Sequence, residues 1–247
     1  MSKYAHDEIV PIQSSQLSKK EQVAEMFDSI AFRYDFLNRF LSVGIDTSWR
    51  KKAIKELKQI HPQKILDVAT GTGDVAILTY KILKPQHIIG IDISNKMLAL
   101  GRKKISNLQL QNHIELLTGD SETISFPDNT FDAITVAFGV RNFENLEKGL
   151  NEMLRVLKPN GKLVILEFSK PTTWAFRKFY NLYMNVIAPG VGKIFSKNKE
   201  AYNYLNESVQ AFPERATFIS VLDSLGYKNT YFKPLSLGIC CIYCGNK

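Results

Sequence analysis

Residues 64–74 read KILDVATGTGD, and this stretch decides the fold. Apolar side chains dominate positions 65–69, Gly71 and Gly73 follow at once, and a helical pattern begins at Asp74. Glycines let the backbone turn tightly and approach a ligand closely. The free N–H groups of the first helical turn then face that ligand. The stretch therefore predicts a strand, a turn and a helix that form a nucleotide-binding corner.

The ligand predicted at this corner is a nucleoside, which carries no phosphates. A dinucleotide-binding turn has three glycines in the order G-x-G-x-x-G, and only Gly71 and Gly73 are present here. Asp92 follows the apolar run 88–91 and lies 21 positions after Gly71, where an acid suits a ribose with both hydroxyls free. These features predict an adenosine, and hence S-adenosyl-L-methionine as the cofactor. An ordinary strand–turn–helix with a hydrogen-bonded acid is the alternative.

The composition is typical of one globular domain. The chain has 247 residues, of which 45% are hydrophobic, and can bury a core without disulfides. It has no apolar run of about 20 residues, the length of a membrane span, and its first residues lack the apolar core of a signal peptide. The cysteines are Cys240, Cys241 and Cys244, without a second pair to complete a metal site. We therefore expect one cytoplasmic domain over 1–247, with reduced cysteines and no metal.

The net charge of +8 suits anionic partners, either nucleic acid or an acidic membrane surface. The excess is concentrated at 170–200, which holds six basic residues and one acidic residue. Aromatic side chains such as Trp174 and Tyr183 are interleaved with these charges. The pattern fits an ordinary core helix. It also fits a lid over 170–212 that receives an apolar substrate and touches lipid headgroups at the inner face of the cell membrane.

Strands alternate with helices from residue 64 onward, which predicts a mostly parallel sheet with helices on both faces. The predicted strands are 64–69, 87–91, 114–117, 131–138, 162–168, 228–233 and 237–243. The predicted helices are 19–41, 49–60, 74–83, one capped by Ser94, 144–157, 200–212 and 213–225. We expect the last two strands to form a closing hairpin, which makes the sheet mixed.

An N-terminal helical cap is predicted over 15–60, preceded by a mobile arm at 1–14. Within the cap, Tyr34 and Asn38 are four positions apart and share a helix face. Because the cap precedes the nucleotide corner, we expect it to cover the cofactor. A packing helix with exposed polar residues is the alternative.

Ligands bind such sheets at the carboxyl ends of the strands, and the unusual polar residues of this chain fall there. Methyl transfer from a sulfonium requires aligned reactants and exclusion of water, and an oxygen or carbon acceptor also needs a base. No histidine is expected at that end. The polar candidates there are Tyr34, Asp35, Asp46, Arg141, Glu167 and Tyr204. Arg141 stays protonated, so it would stabilise a phenolate-like acceptor or polarise a water rather than act as a base.

The chain resembles the C-methyltransferases of menaquinone and ubiquinone biosynthesis over nearly their whole length. The motifs that carry the resemblance are Tyr34-Asp35-x-Leu37-Asn38 with Leu41-Ser42 and Trp49, Phe126 to Asp132 (FPDNTFD), Gly139-Val140-Arg141-Asn142, and Arg155 to Gly161 (RVLKPNG) with Glu167-Phe168-Ser169. The chain has Leu37, Asp46 and Asn160 where the family usually has methionine, histidine and glycine.

The resemblance implies a class I methyltransferase, with a Rossmann-like, mostly parallel seven-stranded sheet. It implies methylation of a ring carbon on a polyprenylated quinol, with demethylmenaquinol to menaquinol, the last step of menaquinone biosynthesis, as the favoured reaction. Thr72, Asp92, Asp120 and Ser121 match the family's cofactor contacts, beside Gly71 and Gly73. Ala137 replaces a serine that usually makes a further contact.

The resemblance also places Arg141 and Asn142 near the reacting carbon. Tyr34, Asn38 and Tyr204 are the candidates for substrate binding. A transient contact with the membrane surface would let the polyprenyl tail enter.

Other functions stay open at this point. One is C-methylation of the benzoquinol precursor of ubiquinone or of another lipid-like molecule. A nucleic-acid methyltransferase is disfavoured, because no Asn/Asp-Pro-Pro-aromatic tetrapeptide follows a strand, so we expect no nucleic-acid partner. A scaffold that binds cofactor without catalysis is disfavoured by Arg141 and Asn142. The sequence leaves the oligomeric state open, a homodimer included.

Overall fold

A computed structural model describes residues 4–41, 44–171 and 199–247, and these residues form one layered α/β structure. The strands are β1 (Lys64–Val68), β2 (His87–Asp92), β3 (Ile114–Thr118), β4 (Phe131–Ala137), β5 (Leu157–Phe168), β6 (Lys228–Leu235) and β7 (Cys240–Asn246). The helices are α1 (Lys19–Leu41), α2 (Ile45–Lys55), α3 (Asp74–Leu83), α4 (Asn95–Asn107), α5 (Leu146–Val156), α6 (Lys199–Ala211) and α7 (Ala216–Ser224).

The strands build a seven-stranded sheet in the order β3-β2-β1-β4-β5-β7-β6. The first five strands pair in parallel. Strand β7 runs antiparallel to both β5 and β6. The predicted mixed sheet with a closing hairpin is therefore confirmed. Between β1 and β4 the strand order reverses direction, and such a switch point opens a crevice for a ligand.

Helices cover both faces of this sheet, because side chains alternate along each strand. On one face, Leu66 and Ile134 pack in a core completed by α5 and α7. On the other face, Ile65 and Ala133 pack in a core completed by α2, α3 and α4. The burial of these apolar side chains on both faces explains why the parallel strands are nearly continuous apolar runs.

Several element boundaries differ from the sequence-based prediction. Helix α2 begins at Ile45 rather than at residue 49, with Gly44 in the left-handed region (φ 76°) just before it. Strand β5 begins at Leu157 rather than at residue 162, because Leu157 already pairs with Phe131 before a register shift. Strand β7 begins at Cys240 rather than at residue 237, since a 3-10 turn precedes it.

The expected mobile arm at 1–14 is wrong for the residues that the structure describes. Residues Ala5–Glu8 form a 3-10 turn, and the side chain of His6 is fully buried. The hydroxyl of Tyr4 donates to Glu147 on α5, at 2.8 Å. The ring of His6 packs edge-on against Phe212, with 5.3 Å between centroids. These contacts tie the N-terminal turn to elements more than a hundred residues away.

The predicted lid over 170–212 lies mostly outside the described residues, which resume at α6. Within the described part of the chain, no helix combines the length and apolar character needed to cross a membrane.

Candidate active site

A cavity lies at the switch point between β1 and β4 and encloses about 670 Å³, its open mouth included. Its walls come from the segments that follow β1 to β4 and from the inner face of α1. The lining residues include Ala69, Gly71, Asp92, Gly119, Asp120, Ser121, Ala137, Asn142 and Glu144 from the sheet side, and Lys20, Val23, Phe27 and Tyr34 from α1.

The turn after β1 forms the floor of this cavity. Gly71 has a φ of 57° and Gly73 a φ of 77°, in the left-handed region that glycine adopts without strain. A Cβ added to Gly71 would meet no atom within 4 Å, because this position faces the cavity. The turn is held from below by Asp67, whose carboxylate accepts a 2.6 Å hydrogen bond from the hydroxyl of Thr70.

Asp92 connects the corner after β1 with the corner after β2. Its Oδ2 accepts from the backbone N–H of Gly71, and its Oδ1 from that of Ser94, both at 2.8 Å. Burial raises the pKa of this carboxyl group, although these backbone donors act in the opposite direction. Asp92 is thus an oriented acceptor on the cavity wall, as the ribose prediction requires.

Asp120 and Ser121 line the cavity in the segment after β3. The Oδ1 of Asp120 accepts from the backbone N–H of Glu122 at 2.9 Å, which fixes the plane of the carboxylate. Its Oδ2 accepts from the Nζ of Lys20 on α1 at 2.5 Å. This wall of the cavity is therefore shared between the sheet and the N-terminal helix.

Arg141 and Asn142 follow β4, but only Asn142 lines the cavity. The guanidinium of Arg141 is buried, and its Nη1 donates to Glu167 at 2.7 Å and to the carbonyl of Phe138 at 2.6 Å. The Nδ2 of Asn142 donates to the same carbonyl at 3.4 Å, while its buried Oδ1 has no hydrogen-bond partner in the described part of the chain. An acceptor that lacks a donor beside a cavity is a candidate contact for a ligand.

The candidate substrate residues lie in different places. Tyr34 lines the cavity, with its ring edge-on to Phe27 at 5.7 Å between centroids. Tyr204 is buried behind α1, where it packs with Val23 and Met26. The side chain of Asn38 lies outside the described residues. The structure therefore brings Tyr34 to the cavity, whereas Tyr204 lies behind its wall.

Thr72 and Gly73 also lie behind the wall rather than on it. The hydroxyl of Thr72 is buried and accepts from the Nζ of Lys104 on α4 at 2.8 Å. Gly73 faces the side chain of Leu116, 3.4 Å from the position that a Cβ would take. Thr72 as a direct cofactor contact stays a prediction.

Asp46 stands where the family usually has histidine, and it does not line the cavity among the described residues. Its carboxylate lies 3.5 Å from Nη2 of Arg50, one helical turn along α2, and it is buried. The position therefore holds an ion pair of α2. No group of three potential metal ligands occurs among the residues that the structure describes.

Comparison with known proteins identifies the family. The model of the ubiE/COQ5 methyltransferase family matches residues 15–247. The demethylmenaquinone methyltransferase of Bacteroides fragilis is 47% identical over 244 residues, which cover 99% of each chain. The chain belongs to the ubiE/COQ5 methyltransferase family.

Two further similarities are consistent with this assignment. The ubiquinone/menaquinone biosynthesis C-methyltransferase UbiE of Geotalea daltonii is 46% identical over 230 residues, covering 93% of this chain and 97% of the relative. The crystal structure of a SAM dependent methyltransferase from Aquifex aeolicus is 21% identical, with a TM-score of 0.56 over 78% of this chain and 88% of that one. At this identity the structural similarity supports the class I methyltransferase fold alone.

The cofactor of this ubiE/COQ5 methyltransferase is S-adenosylmethionine, and the cavity fits it. Asp92 offers an oriented acceptor for ribose hydroxyls, and Gly71 leaves the space above the turn open. Asp120 offers an acceptor on the neighbouring wall. Ala137 lines the cavity without a hydroxyl group, so the hydrogen bond of the usual serine is absent at this position.

Sequence reasoning missed two residues of the methyltransferase site. Asp67 is the internal anchor of the glycine turn, and its position three residues before Thr70 was the available signal. Lys20 reaches the cavity from 100 positions before its partner Asp120, and no local pattern reports such a contact.

Proposed function

We propose that the protein transfers a methyl group from S-adenosylmethionine to a ring carbon of a polyprenylated quinol, converting demethylmenaquinol to menaquinol. The observation that carries this proposal is the 47% identity, over 99% of both chains, to a protein named demethylmenaquinone methyltransferase. C-methylation of the benzoquinol precursor of ubiquinone is the second candidate. It is favoured by the relative whose name covers both pathways, at 46% identity.

The positions of the polar residues suggest how the two reactants lie. Asp92, at the end of β2, would hold the ribose. The corner after β3 would then receive the adenine, and the corner after β4 would face the transferred methyl group. Asn142 lies in this last corner. The quinol ring would therefore stack near Asn142, with Tyr34 and Phe27 of α1 on its open side.

The chain's own residues would orient the acceptor and exclude water. When bound, S-adenosylmethionine supplies an electrophilic methyl group and leaves as the neutral thioether. The ring carbon beside a hydroxyl group becomes nucleophilic as that hydroxyl group gives its proton to water, and after methyl transfer the carbon releases its own proton to water. The unpartnered Oδ1 of Asn142 would accept from the quinol hydroxyl group, and the second N–H of its Nδ2 would donate to the oxygen once it is charged. Helix α1 covers the cavity with apolar side chains such as Val23, which would limit access of water.

Arg141 would act indirectly in this arrangement, by fixing the position of its neighbour Asn142. Its guanidinium bonds Glu167 and the carbonyl of Phe138, and thereby holds the turn that carries Asn142. Its buried positive charge also lies in the residue adjacent to Asn142, where it would favour a negatively charged acceptor oxygen. Direct contact between Arg141 and the quinol stays a prediction.

The polyprenyl tail suggests transient contact with a membrane surface. The basic and aromatic residues that support this contact lie at 170–200, mostly outside the described residues, so membrane contact and a homodimer stay predictions.

The test is a methyl-transfer assay with isotopically labelled S-adenosylmethionine and quinols presented in lipid vesicles. We expect label in menaquinol by mass spectrometry, and at least tenfold lower turnover (about 1.4 kcal/mol or more in the barrier) for Asn142→Ala. This variant should keep its affinity for S-adenosylhomocysteine. Asn107→Ala, at the exposed end of α4, is the matched control and should behave as wild type.

Label that enters the benzoquinol and not demethylmenaquinol would favour the second candidate. Label in neither quinol would reject both. Full turnover of Asn142→Ala would remove the proposed role of the amide.

A further inference from the structure

Lys20 extends from the first turn of α1 into the cofactor cavity. Ser18 fixes the start of this helix, because its Oγ accepts from the backbone N–H of Glu21 at 3.3 Å, while Glu21 accepts from that of Ser18 at 2.8 Å. The neighbouring Lys19 points the other way and donates to the carbonyl of His6 at 2.6 Å. Two successive lysines of one helical turn thus point in different directions, and of the two only Lys20 lines the cavity.

The ammonium group of Lys20 meets carboxylates from two corners of the sheet. It lies 2.5 Å from Oδ2 of Asp120, 3.6 Å from Glu122 and 4.0 Å from Glu144. Glu122 is buried, with 4% of its surface exposed. Without this cation, the three carboxylates on this wall would repel one another at short range. Lys20 therefore offsets this repulsion and fixes the position of the Asp120 carboxylate on the cavity wall.

Anchoring of α1 does not explain this arrangement, because other contacts already hold the helix. Asp28 accepts from the hydroxyl of Ser94 at 2.5 Å and from the backbone N–H of Lys96 at 3.1 Å, at the start of α4. Val23 and Met26 pack with Tyr204 in a separate apolar cluster. A partly exposed ion pair adds only about 0–1 kcal/mol to stability. The distinctive property of Lys20 is that its partner faces the ligand.

The geometry of the sheet indicates which part of the ligand lies there. The strand order is β3-β2-β1-β4, with Asp92 at the end of β2 and Asn142 after β4. A ribose at Asp92 whose methyl-bearing arm extends toward β4 directs the adenine toward β3. The amino group of adenine is a donor, and Asp120 presents an acceptor on that wall.

We propose that Lys20 is a positioning residue for the adenine half of the cofactor. It orients the carboxylate of Asp120 and draws the first turn of α1 over the adenosine. This inference rests on the cofactor assigned above. It predicts that loss of Lys20 weakens binding of the cofactor, raises the KM for S-adenosylmethionine and leaves kcat unchanged, because the reacting methyl group lies at the other end.

The test is calorimetry with S-adenosylhomocysteine on wild type, Lys20→Met, Asp120→Asn and the double variant. We expect Lys20→Met to raise Kd roughly tenfold and Lys20→Arg to restore most of the affinity. Because Lys20 acts through Asp120, the double variant should bind about as weakly as Asp120→Asn alone. Lys103→Met, on the exposed surface of α4, is the matched control.

A wild-type Kd in Lys20→Met would overturn the inference, as would effects of the two substitutions that simply add. A lower melting temperature of Lys20→Met with unchanged affinity would show a purely structural role and also overturn it. If wild type itself bound no S-adenosylhomocysteine, the cofactor assignment would fail together with the inference.

Discussion

Asp67 is a carboxyl group enclosed by the middle of the sheet, with 1% of its surface exposed. The hydroxyl group of Thr135 donates to its Oδ1 and that of Thr70 donates to its Oδ2, both at 2.6 Å. Burial nevertheless raises the pKa of Asp67 from 3.8 to about 6. The hydrogen bonds do not fully replace the water that a carboxylate loses on folding.

The raised pKa predicts how stability depends on pH. Between pH 4 and 6 the folded protein retains a proton on Asp67 that the unfolded chain has released, so this group lowers stability as pH rises through that window. Asp67→Asn removes the titration and can keep both threonine contacts. The free energy of unfolding of the variant relative to wild type should rise from pH 4 to 6 by up to about 1.4 kcal/mol per pH unit, measured by urea unfolding.

Asp223→Asn, on the exposed face of α7, serves as the matched control for the change from carboxylate to amide. If the curves of wild type and Asp67→Asn against pH ran parallel, the proposed titration of Asp67 would be wrong.

At the scale of single residues, local sequence predicted which polar residues and glycines meet at the strand ends; their contacts with the cofactor stay predictions. Gly71, Asp92, Asp120 and Ser121 all line the cavity, because the carboxyl ends of parallel strands meet at one edge. The direction of a side chain was not predictable in the same way. Thr72 follows the cavity-side Gly71 but turns toward Lys104, because the positive φ angles of Gly71 and Gly73 rotate the backbone on either side of it.

Among the elements, the N-terminal turn Ala5–Glu8 differs from the mobile arm that its composition predicted. Polar residues and Pro11 suggested an arm, yet the turn buries His6 against Phe212. The partners of this turn lie far away in sequence, so no local periodicity reports them. Burial of His6 lowers its pKa from 6.5 to about 3, with a smaller contribution from Lys19.

The lowered pKa makes this element sensitive to acid. As pH falls from 6.5 toward 3, the unfolded chain takes up a proton that the folded protein excludes, so stability is lost. His6→Phe can retain the ring packing on Phe212 without a titrating group. It should lose less stability than wild type between pH 7.5 and 5, by roughly 1–2 kcal/mol, in urea unfolding at both pH values.

His61→Asn is the matched control, since His61 is exposed and its φ of 43° suits asparagine. An equal loss of stability in wild type and His6→Phe would show that His6 is protonated in the folded protein, at the Asp7 carboxylate 3.2 Å from its Nε2.

For the molecule as a whole, the alternation of strands and helices was sufficient to predict a mixed, mostly parallel sheet. The position of β7 between β5 and β6 is explained by the burial of its side chains rather than by the order of the strands along the chain. Every residue of Cys240–Gly245 in β7 is buried, as expected of a strand between two neighbours. Strand β6 carries Lys228, Lys233 and Pro234, and charged residues and proline are typical of an edge. The inserted position of β7 could therefore have been read from its composition.

The cavity draws its walls from α1 and from four strand ends, so a ligand bound there should stabilise the whole fold. S-adenosylhomocysteine at a hundred times its Kd contributes about 2.7 kcal/mol. For a domain of this size, 1 kcal/mol shifts the melting temperature by roughly 2–4 °C. We therefore expect the melting temperature of wild type to rise by roughly 5–10 °C, and that of Asp92→Ala to rise far less at the same ligand concentration.

Two probes of the same thermal unfolding test whether the cap and the sheet unfold together. Tryptophan fluorescence and far-UV circular dichroism should report one shared transition, because α1 and the sheet close the same site. Separate transitions, with only one shifted by ligand, would show that the N-terminal cap folds apart from the sheet.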